Sequence, residues 1–418
     1  MNKTIVAVIG AGSVFTPELV GKIAEVEPQT GPVTLRFYDI DASRRELMSG
    51  FCRRQLDNMD NTGVEIVDCE DAAVCLDGAA FILLQLRQGG LSARVQDEAL
   101  GKKYKIPFTE TISICGFASF LRTYYEYERL FPLFQKYAPD ASTLNFTNPS
   151  GQLSEALYRL GHRKVVGVCN AYRGMEASIE RTLGIETGSY MMNWRGLNHL
   201  TIVDGIFHKG ENRFKEFLER SPEDQPNIEF YKSLGAVLNG YYQYYFNRVE
   251  IVNKQQALEK TRSETVCEID SEILKSYKSC DEIPSVLSKR GGAGYSTAVV
   301  DILKAILLDE GSLHYAVVKN GSALPRLPRD AFVEVPVIVN RSGTYPLTFD
   351  EMPPFADVMT YTMKTYERTL IAAAMERSKK RMFEAMMIHP LMNCQTVAAP
   401  LLDDFIAVNN KYLPDIYL

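Results

Sequence analysis

An α/β fold is what the sequence predicts, and three observations predict it. Short apolar, β-branched runs alternate with helix-period segments over the first 170 residues. A turn containing two glycines, Gly10-Ala11-Gly12-Ser13, joins the first such run to the first helical pattern. Polar residues then collect where successive strands end, at Arg87-Gln88, Thr147-Asn148 and Cys169-Asn170. In a doubly wound parallel sheet, that edge is where ligands bind.

Each element follows from its residues. Thr4–Ile9 is a buried strand, and the helical pattern after the turn begins at Glu18. Gly10 allows the sharp turn and Gly12 a close backbone approach, so strand, turn and helix N-terminus form a seat for a dinucleotide pyrophosphate. Ser13, Val14 and Phe15 complete that turn, with Phe15 where the usual fingerprint has a third glycine. A second strand, Val33–Tyr38, ends at Asp39, whose carboxylate suits ribose hydroxyls. Residues 43–59 form a charged amphipathic helix, Val64–Asp68 a strand, and 71–76 a helical turn. Residues 79–86 make a near-continuous apolar run, as a parallel strand buried on both faces should. A helix over 120–137 carries Pro132, which would kink or divide it. A strand over 143–146, a helix over 152–160 and a strand over 164–169 close this half.

The rhythm changes after Cys169. This divides the chain into a Rossmann-type dinucleotide-binding domain, residues 1–170, and an α+β domain, residues 171–418. In the second, 175–183 is helical and 190–206 reads as paired strands around Gly196-Leu197-Asn198-His199. Residues 212–289 are mostly helical, with Pro222 and Pro226 as breakers. Gly291-Gly292-Ala293-Gly294-Tyr295 opens an apolar helix over 296–308. Strands follow over 313–339, broken by Pro325 and Pro328, and 351–387 holds two or three helices. No flexible linker separates the halves, so they should pack closely.

Composition excludes several classes. Of 418 residues, 46% are hydrophobic and 23% charged, as in a globular protein. A net charge of −6 without a basic stripe argues against nucleic acid as a partner. No apolar run is long enough to span a bilayer, so no membrane partner is expected. No signal-peptide pattern is read at the N-terminus, and the eight cysteines include no C-x-x-C pair. The expectation is a cytoplasmic protein with reduced thiols.

Several polar residues ask for chemistry. Cys169 at a strand end and His199 in an apolar strand could share a divalent metal, with positions left open for water or substrate. Each also has a plainer reading, Cys169 as a small core residue and His199 as a hydrogen-bonded core imidazole. Tyr295, after the glycine-rich stretch, is a candidate base if a nearby cation lowers its pKa, or else a core aromatic. Arg87 and Asn148 suit hydroxyls or an anion, or else a surface cation and a turn-forming residue before proline.

Taken in order, these segments resemble glycoside hydrolase family 4, glycosidases that depend on NAD and a divalent metal and stand outside the two-carboxylate scheme. The resemblance rests on Gly10-Ala11-Gly12-Ser13 with Thr16-Pro17-Glu18, Asp39-Ile40-Asp41, and Gln85-Leu86-Arg87 with Gly89-Gly90. It continues through Asn145-Phe146-Thr147-Asn148-Pro149, Gly167-Val168-Cys169-Asn170 and Gly196-Leu197-Asn198-His199. Arg290-Gly291-Gly292 with Tyr295-Ser296, and the region 320–336, complete it. The resemblance implies a second domain of the lactate/malate dehydrogenase-like type, NAD and a divalent metal, Mn2+, as cofactors, and a homodimer or homotetramer. It implies Cys169 and His199 as metal ligands, Tyr295 as the catalytic base, and Gly10, Gly12, Ser13, Val14, Phe15 and Asp39 around the cofactor. Arg87, Asn148, Asn170 and Lys319 then fall at substrate-binding positions.

The implied reaction oxidises the sugar at C3 by hydride transfer to NAD+, which makes the C2 proton acidic. Tyr295 removes that proton, the aglycone leaves from C1, water adds, and the hydride returns. Asn170, where α-specific members carry Asp, points to a 6-phospho-β-glucoside. The 6-phospho-α-glucosidase, α-galactosidase and α-glucuronidase branches are the alternatives within the family. Three segments depart from its pattern: Glu110–Gly116 is poor in glycine, Lys319 stands where an arginine usually binds phosphate, and Ala171-Tyr172-Arg173 replaces a valine–proline pair. A 2-hydroxy-acid dehydrogenase or a non-catalytic nucleotide sensor would share the architecture.

Overall fold

Six parallel strands are laid down first. β1 (Thr4–Ile9), β2 (Val33–Tyr38), β3 (Val64–Asp68), β4 (Phe81–Leu84), β5 (Ser142–Asn145) and β6 (Val165–Gly167) stand side by side in the order 3-2-1-4-5-6. The strands are apolar because helices cover both faces of such a sheet. Those helices are α1 (Thr16–Thr30), α2 (Ala42–Asn58), α3 (Ala72–Leu76), α4 (Gly90–Lys103), α5 (Ser113–Tyr137) and α6 (Ser150–Leu160). The strand order reverses between β1 and β4, which opens a crevice at their carboxyl ends. This is a computed structural model, and it describes residues 3–59, 63–222, 227–292 and 294–415. Pro226 and Ala293, named above, lie outside them.

The second half continues the same sheet. After α7 (Ala171–Leu183) come the hairpin strands β7 (Tyr190–Leu197) and β8 (Leu200–His208), then the short β9 (Glu211–Asn212). α8 (Phe214–Arg220), α9 (Ile228–Leu234), β10 (Val237–Leu238), α10 (Gln243–Phe246), α11 (Arg248–Gln256) and α12 (Arg262–Ser279) follow. α13 (Tyr295–Leu308) leads into β11 (Ser312–Lys319), β12 (Phe332–Asn340) and β13 (Gly343–Pro346). α14 (Pro354–Met375), α15 (Lys379–Ile388) and α16 (Gln395–Asn409) finish the chain. β11 pairs antiparallel with β6 through Val317 and Gly167, and β12, β7, β8 and β10 extend outward from it. The described residues thus form one 13-stranded sheet. The junction is tight: a Cβ on Gly167 would come within 2.7 Å of Ser154 Oγ and 2.8 Å of the Val317 Cβ. This bears out the α/β class.

Differences from the sequence expectation have local causes. The 79–86 run is strand only over β4, because Gln85 leaves the ladder to pass beneath Gly10. α1 starts two residues early, with Pro17 in its first turn, where a missing N–H costs nothing. α5 runs unbroken through Pro132, held by the buried Leu130, Phe131 and Phe134 around it. Its first turns were hidden by Gly116, which lets the preceding loop approach: a Cβ there would stand 2.2 Å from Thr111 O. α4 and α16 were not expected, and α16 carries Pro400 inside it. Buried Arg122 joins them to α5: its guanidinium donates to Asp97 Oδ2 at 2.7 Å and to Asn409 Oδ1 at 2.6 Å. Among the described residues, no helix is long and apolar enough to cross a membrane.

Candidate active site

A cavity of about 770 Å3 runs along the carboxyl edge of the parallel strands. Its first wall is the glycine turn. Gly10 sits at φ +93°, and a Cβ there would meet Gln85 O at 2.8 Å. Only glycine fits a positive φ and that approach together. The Gly12 N–H donates to Asp39 Oδ2 at 2.8 Å and the Asp41 N–H to Asp39 Oδ1 at 2.9 Å. Burial pushes the Asp39 carboxyl up from its ordinary range, and these backbone donors work against the shift. An ionised carboxylate has further lone pairs for ribose hydroxyls. Gly10, Gly12, Ser13, Phe15 and Asp39 all line the cavity.

Phe15 shows why the third glycine is absent. Its ring faces the C-terminal half, with the Arg290 guanidinium 5.2 Å from the ring centroid. Val14 does not reach the cavity. It is fully buried in a second small core with Met48, Phe51, Ile273, Tyr277 and Leu287, and its carbonyl accepts from Tyr277 OH at 2.8 Å. Its side chain therefore supports the turn from behind, a correction to its expected cofactor contact.

The opposite wall is polar. Arg87 pairs with Glu110, and Arg94 lies 3.8 Å from the same carboxylate. Burial alone would raise the Glu110 carboxyl, but Arg87 and Arg94 outweigh it and hold Glu110 well below the usual range. Arg290 Nε donates to Asp270 Oδ1 at 2.9 Å, and Arg44 Nη1 to Asp270 Oδ2 at 3.0 Å. Burial and the nearby Arg87 charge both lower the Arg290 pKa, and these two are among five arginines that line the cavity, with Arg44, Arg94 and Arg262. Such a concentration of cations in a cleft favours an anionic ligand.

Lys319 is elsewhere. It is exposed at the end of β11, and its ammonium lies 5.4 Å from the Tyr158 ring centroid, away from the cavity lining. Strand alternation turns it outward, while the next residue, Asn320, is buried and bonded to Leu324 and Leu327 carbonyls. The expected phosphate contact of Lys319 is corrected accordingly.

His199 lines the cavity, and Cys169 is buried just behind the lining residue Asn170. Cys169 is buried just beyond β6, with the Ala171 N–H 3.5 Å from its sulfur. His199 occupies the β7–β8 turn at φ +63°, and its Nδ1 hydrogen-bonds Thr111 Oγ1 at 2.6 Å. Burial lowers the His199 pKa to about 4, which keeps the imidazole neutral and able to act as a metal ligand. Burial also pushes the Cys169 thiol up. The Tyr241 ring stacks on His199, with centroids 4.2 Å apart, and burial pushes the Tyr241 phenol up. Among the described residues, no three His, Cys, Asp or Glu side chains converge on one point. A cation between Cys169 and His199 would therefore need oxygen donors from water or ligand, and soft sulfur with imidazole suits a transition metal.

Tyr295 begins α13, and its hydroxyl accepts from Asn148 Nδ2 at 3.4 Å. Burial raises the phenol well above its ordinary pKa, and the Cys169 and Glu110 charges add to this. Asn148 Oδ1 is buried without a hydrogen-bond donor among the described residues, an acceptor suited to a ligand hydroxyl. Asn170 lines the cavity at the start of α7, whereas Arg173 turns away to Asp301 and Glu176.

Four contributors were missed in the sequence. Glu110 and Thr111 lie in a loop with no periodicity to mark it. Tyr241 belongs to an aromatic run, Tyr241-Tyr242-Gln243-Tyr244-Tyr245, that reads as core. Arg290 was noted only as part of a glycine-rich segment. The one available signal was the density of tyrosines in an otherwise polar stretch.

Comparison with known proteins agrees with this geometry. Residues 5–185 match the sequence model described as family 4 glycosyl hydrolase, and residues 194–392 that of the family 4 glycosyl hydrolase C-terminal domain. The chain is 31% identical over 422 residues to the 6-phospho-beta-glucosidase BglT of Thermotoga maritima, covering 98% of this chain and 99% of the relative. A solved structure of the 6-phospho-beta glucosidase from Thermotoga maritima, with manganese, NAD+ and glucose-6-phosphate, superposes with a TM-score of 0.93 at 29% identity. That match covers 98% of this chain and 99% of the other. Malate dehydrogenase from Plasmodium falciparum, with a TM-score of 0.51 at 14% identity over 93% of this chain and 99% of the other, shares the fold alone.

Proposed function

The chain belongs to family 4 of the glycosyl hydrolases, and from that premise we propose that it cleaves 6-phospho-β-glucosides using NAD and a divalent metal, Mn2+ foremost. The observation that carries the proposal is one cavity lined by both a dinucleotide turn and the stacked His199–Tyr241 pair, with Cys169 buried next to the cavity-lining Asn170. The Thermotoga relative, solved with manganese, NAD+ and glucose-6-phosphate, supports the same ligands here. When bound, the dinucleotide would accept and return a hydride at the sugar C3, and the metal would polarise the C3 oxygen.

The chain's own residues do the rest. Gly10 and Gly12 admit the pyrophosphate and Asp39 orients a ribose. Arg87 and Arg290 hold the sugar phosphate between them, in place of the expected Lys319. Asn148 Oδ1 accepts from a sugar hydroxyl. Asn170 supplies no carboxylic acid near the leaving group, which suits the β-linkage.

Removal of the C2 proton falls to a phenol. Tyr241 is our assignment, because its ring is stacked on His199, and a cation held by His199 would lower the phenol's pKa. Tyr295, the residue read from sequence, is the second assignment; the Asn148 amide that donates to its hydroxyl favours the phenolate. The test is a panel of aryl glycosides, phosphorylated and not, in both anomers, with NAD+, Mn2+ and a thiol. We expect cleavage of the 6-phospho-β-glucoside, lost on Cys169→Ala or His199→Ala. Undiminished cleavage by protein freed of all nicotinamide nucleotide would overturn the proposal.

A further inference from the structure

Behind Cys169 and His199 lies a carboxylate that the proposed chemistry does not use. Glu334 stands in the middle of β12, 1% exposed, paired in register with Gly196 of β7 and Val317 of β11. Its Oε1 accepts from Trp194 Nε1 at 2.7 Å and its Oε2 from Asn198 Nδ2 at 2.9 Å. Both donors belong to the strand and turn that end at His199. Asn198 immediately precedes His199 in the β7–β8 turn, so the carboxylate holds the turn at the residue next to the imidazole.

A buried carboxylate is costly unless it is bonded on both oxygens, and Glu334 is. Its placement in a strand, not a loop, gives it a fixed position relative to both β6 and β7. The His199 backbone has a positive φ, which a non-glycine residue holds only where its surroundings impose it. The Glu334–Asn198 bond is one such constraint, acting on the residue immediately before His199.

We propose that Glu334 is a positioning residue of the metal centre: through Asn198 and Trp194 it fixes the strand end and turn that present His199. This rests on the assignment of Cys169 and His199 as metal ligands. Partners one layer behind the ligands commonly set metal affinity, and their loss weakens it about 10- to 100-fold. Glutamine at position 334 would keep one acceptor and turn a donor toward Trp194 or Asn198, breaking one of the two bonds.

The experiment measures Mn2+ binding to the full-length protein by calorimetry, alongside the thiolate charge-transfer absorption of the Co2+-loaded protein. NAD+ affinity serves as the control for an intact fold. For Cys169→Ala we expect both metal signals to vanish; Mn2+ affinity unchanged in that variant would remove the ligand assignment itself. For Glu334→Gln we expect Mn2+ Kd to rise about tenfold or more, the Co2+–thiolate band to shift or weaken, and NAD+ Kd to stay constant. Wild-type Mn2+ affinity and an unmoved band in Glu334→Gln, with Cys169→Ala inactive toward metal, would overturn the role of Glu334 alone. Should Glu334→Gln lose NAD+ binding and hence its fold, Asn198→Ala carries the same test: weakened Mn2+ binding supports the proposal and wild-type affinity overturns it.

Discussion

The imidazole of His199 and the phenol of Tyr241 lie face to face, with ring planes 4° from parallel and centroids 4.2 Å apart. The stack couples a residue of the β7–β8 turn to one just after β10, so a group bound at His199 is within reach of a tyrosine from a separate segment. Tyr241→Phe should retain the stack and lose the hydroxyl. We expect kcat to fall by about 10^2-fold or more, with KM little changed. Exchange of the substrate C2 proton with deuterated water should disappear. Tyr295→Phe should keep that exchange; the reverse pattern would transfer the role of base to Tyr295.

The guanidinium groups of Arg87 and Arg290 make a separate claim. Arg290→Ala removes one of the cations facing Arg87 and should raise KM for a phosphorylated glycoside about 10- to 100-fold, the range of a charge-assisted hydrogen bond. Lys319→Ala, outside the cavity, should leave KM unchanged. Steady-state kinetics of both variants on one 6-phosphoglycoside checks the pair.

Gly10→Ala places a methyl group 2.8 Å from Gln85 O at a φ of +93°. The turn must shift to relieve it, and the dinucleotide seat shifts with it. NAD+ Kd, followed by the quenching of intrinsic fluorescence, should rise at least about tenfold (roughly 1.4 kcal/mol).

Two buried histidines contribute an acid-sensitive part of the fold's stability. Burial, with the Lys164 charge, lowers His162 from 6.5 to about 4, and burial, with the Arg248 charge, lowers His389 to about 3; both imidazoles are hydrogen-bonded. Because the folded pKa lies below the unfolded one, the unfolded chain binds more protons below pH 6.5. Stability is then complete above pH 6.5 and falls as pH drops toward 4, by up to about 1.4 kcal/mol per pH unit for each histidine. Urea midpoints measured from pH 7.5 to 4.5 should fall less steeply with acid in His389→Asn, which retains an acceptor for the Leu391 N–H, than in the unaltered protein.

Much of this was legible in the residues themselves. Thr4–Ile9, Val33–Tyr38 and Val64–Asp68 were bounded correctly, because buried parallel strands are apolar runs cut off by glycine or acid. The glycine turn, Asp39, Arg87, Asn148 and Tyr295 were read at strand or helix ends, and they line one cavity. What failed was direction and distance. Val14 and Lys319 stand beside the right segments, but their side chains point into a core and into solvent. Glu110, Thr111 and Tyr241 come from irregular chain, and only tertiary packing brings them to His199. Glu334 reads as one polar residue in an apolar strand, and its meaning depends on Trp194 and Asn198 across the sheet.

The single Gly167–Val317 pairing between β6 and β11 has a mechanical result. Among the described residues, both halves of the chain contribute strands to one hydrogen-bonded sheet, which resists their swinging apart. Adaptation to leaving groups of different bulk therefore belongs to the loops and short helices at the rim, such as the Glu110–Thr111 segment and the Tyr241 turn, while the floor stays rigid.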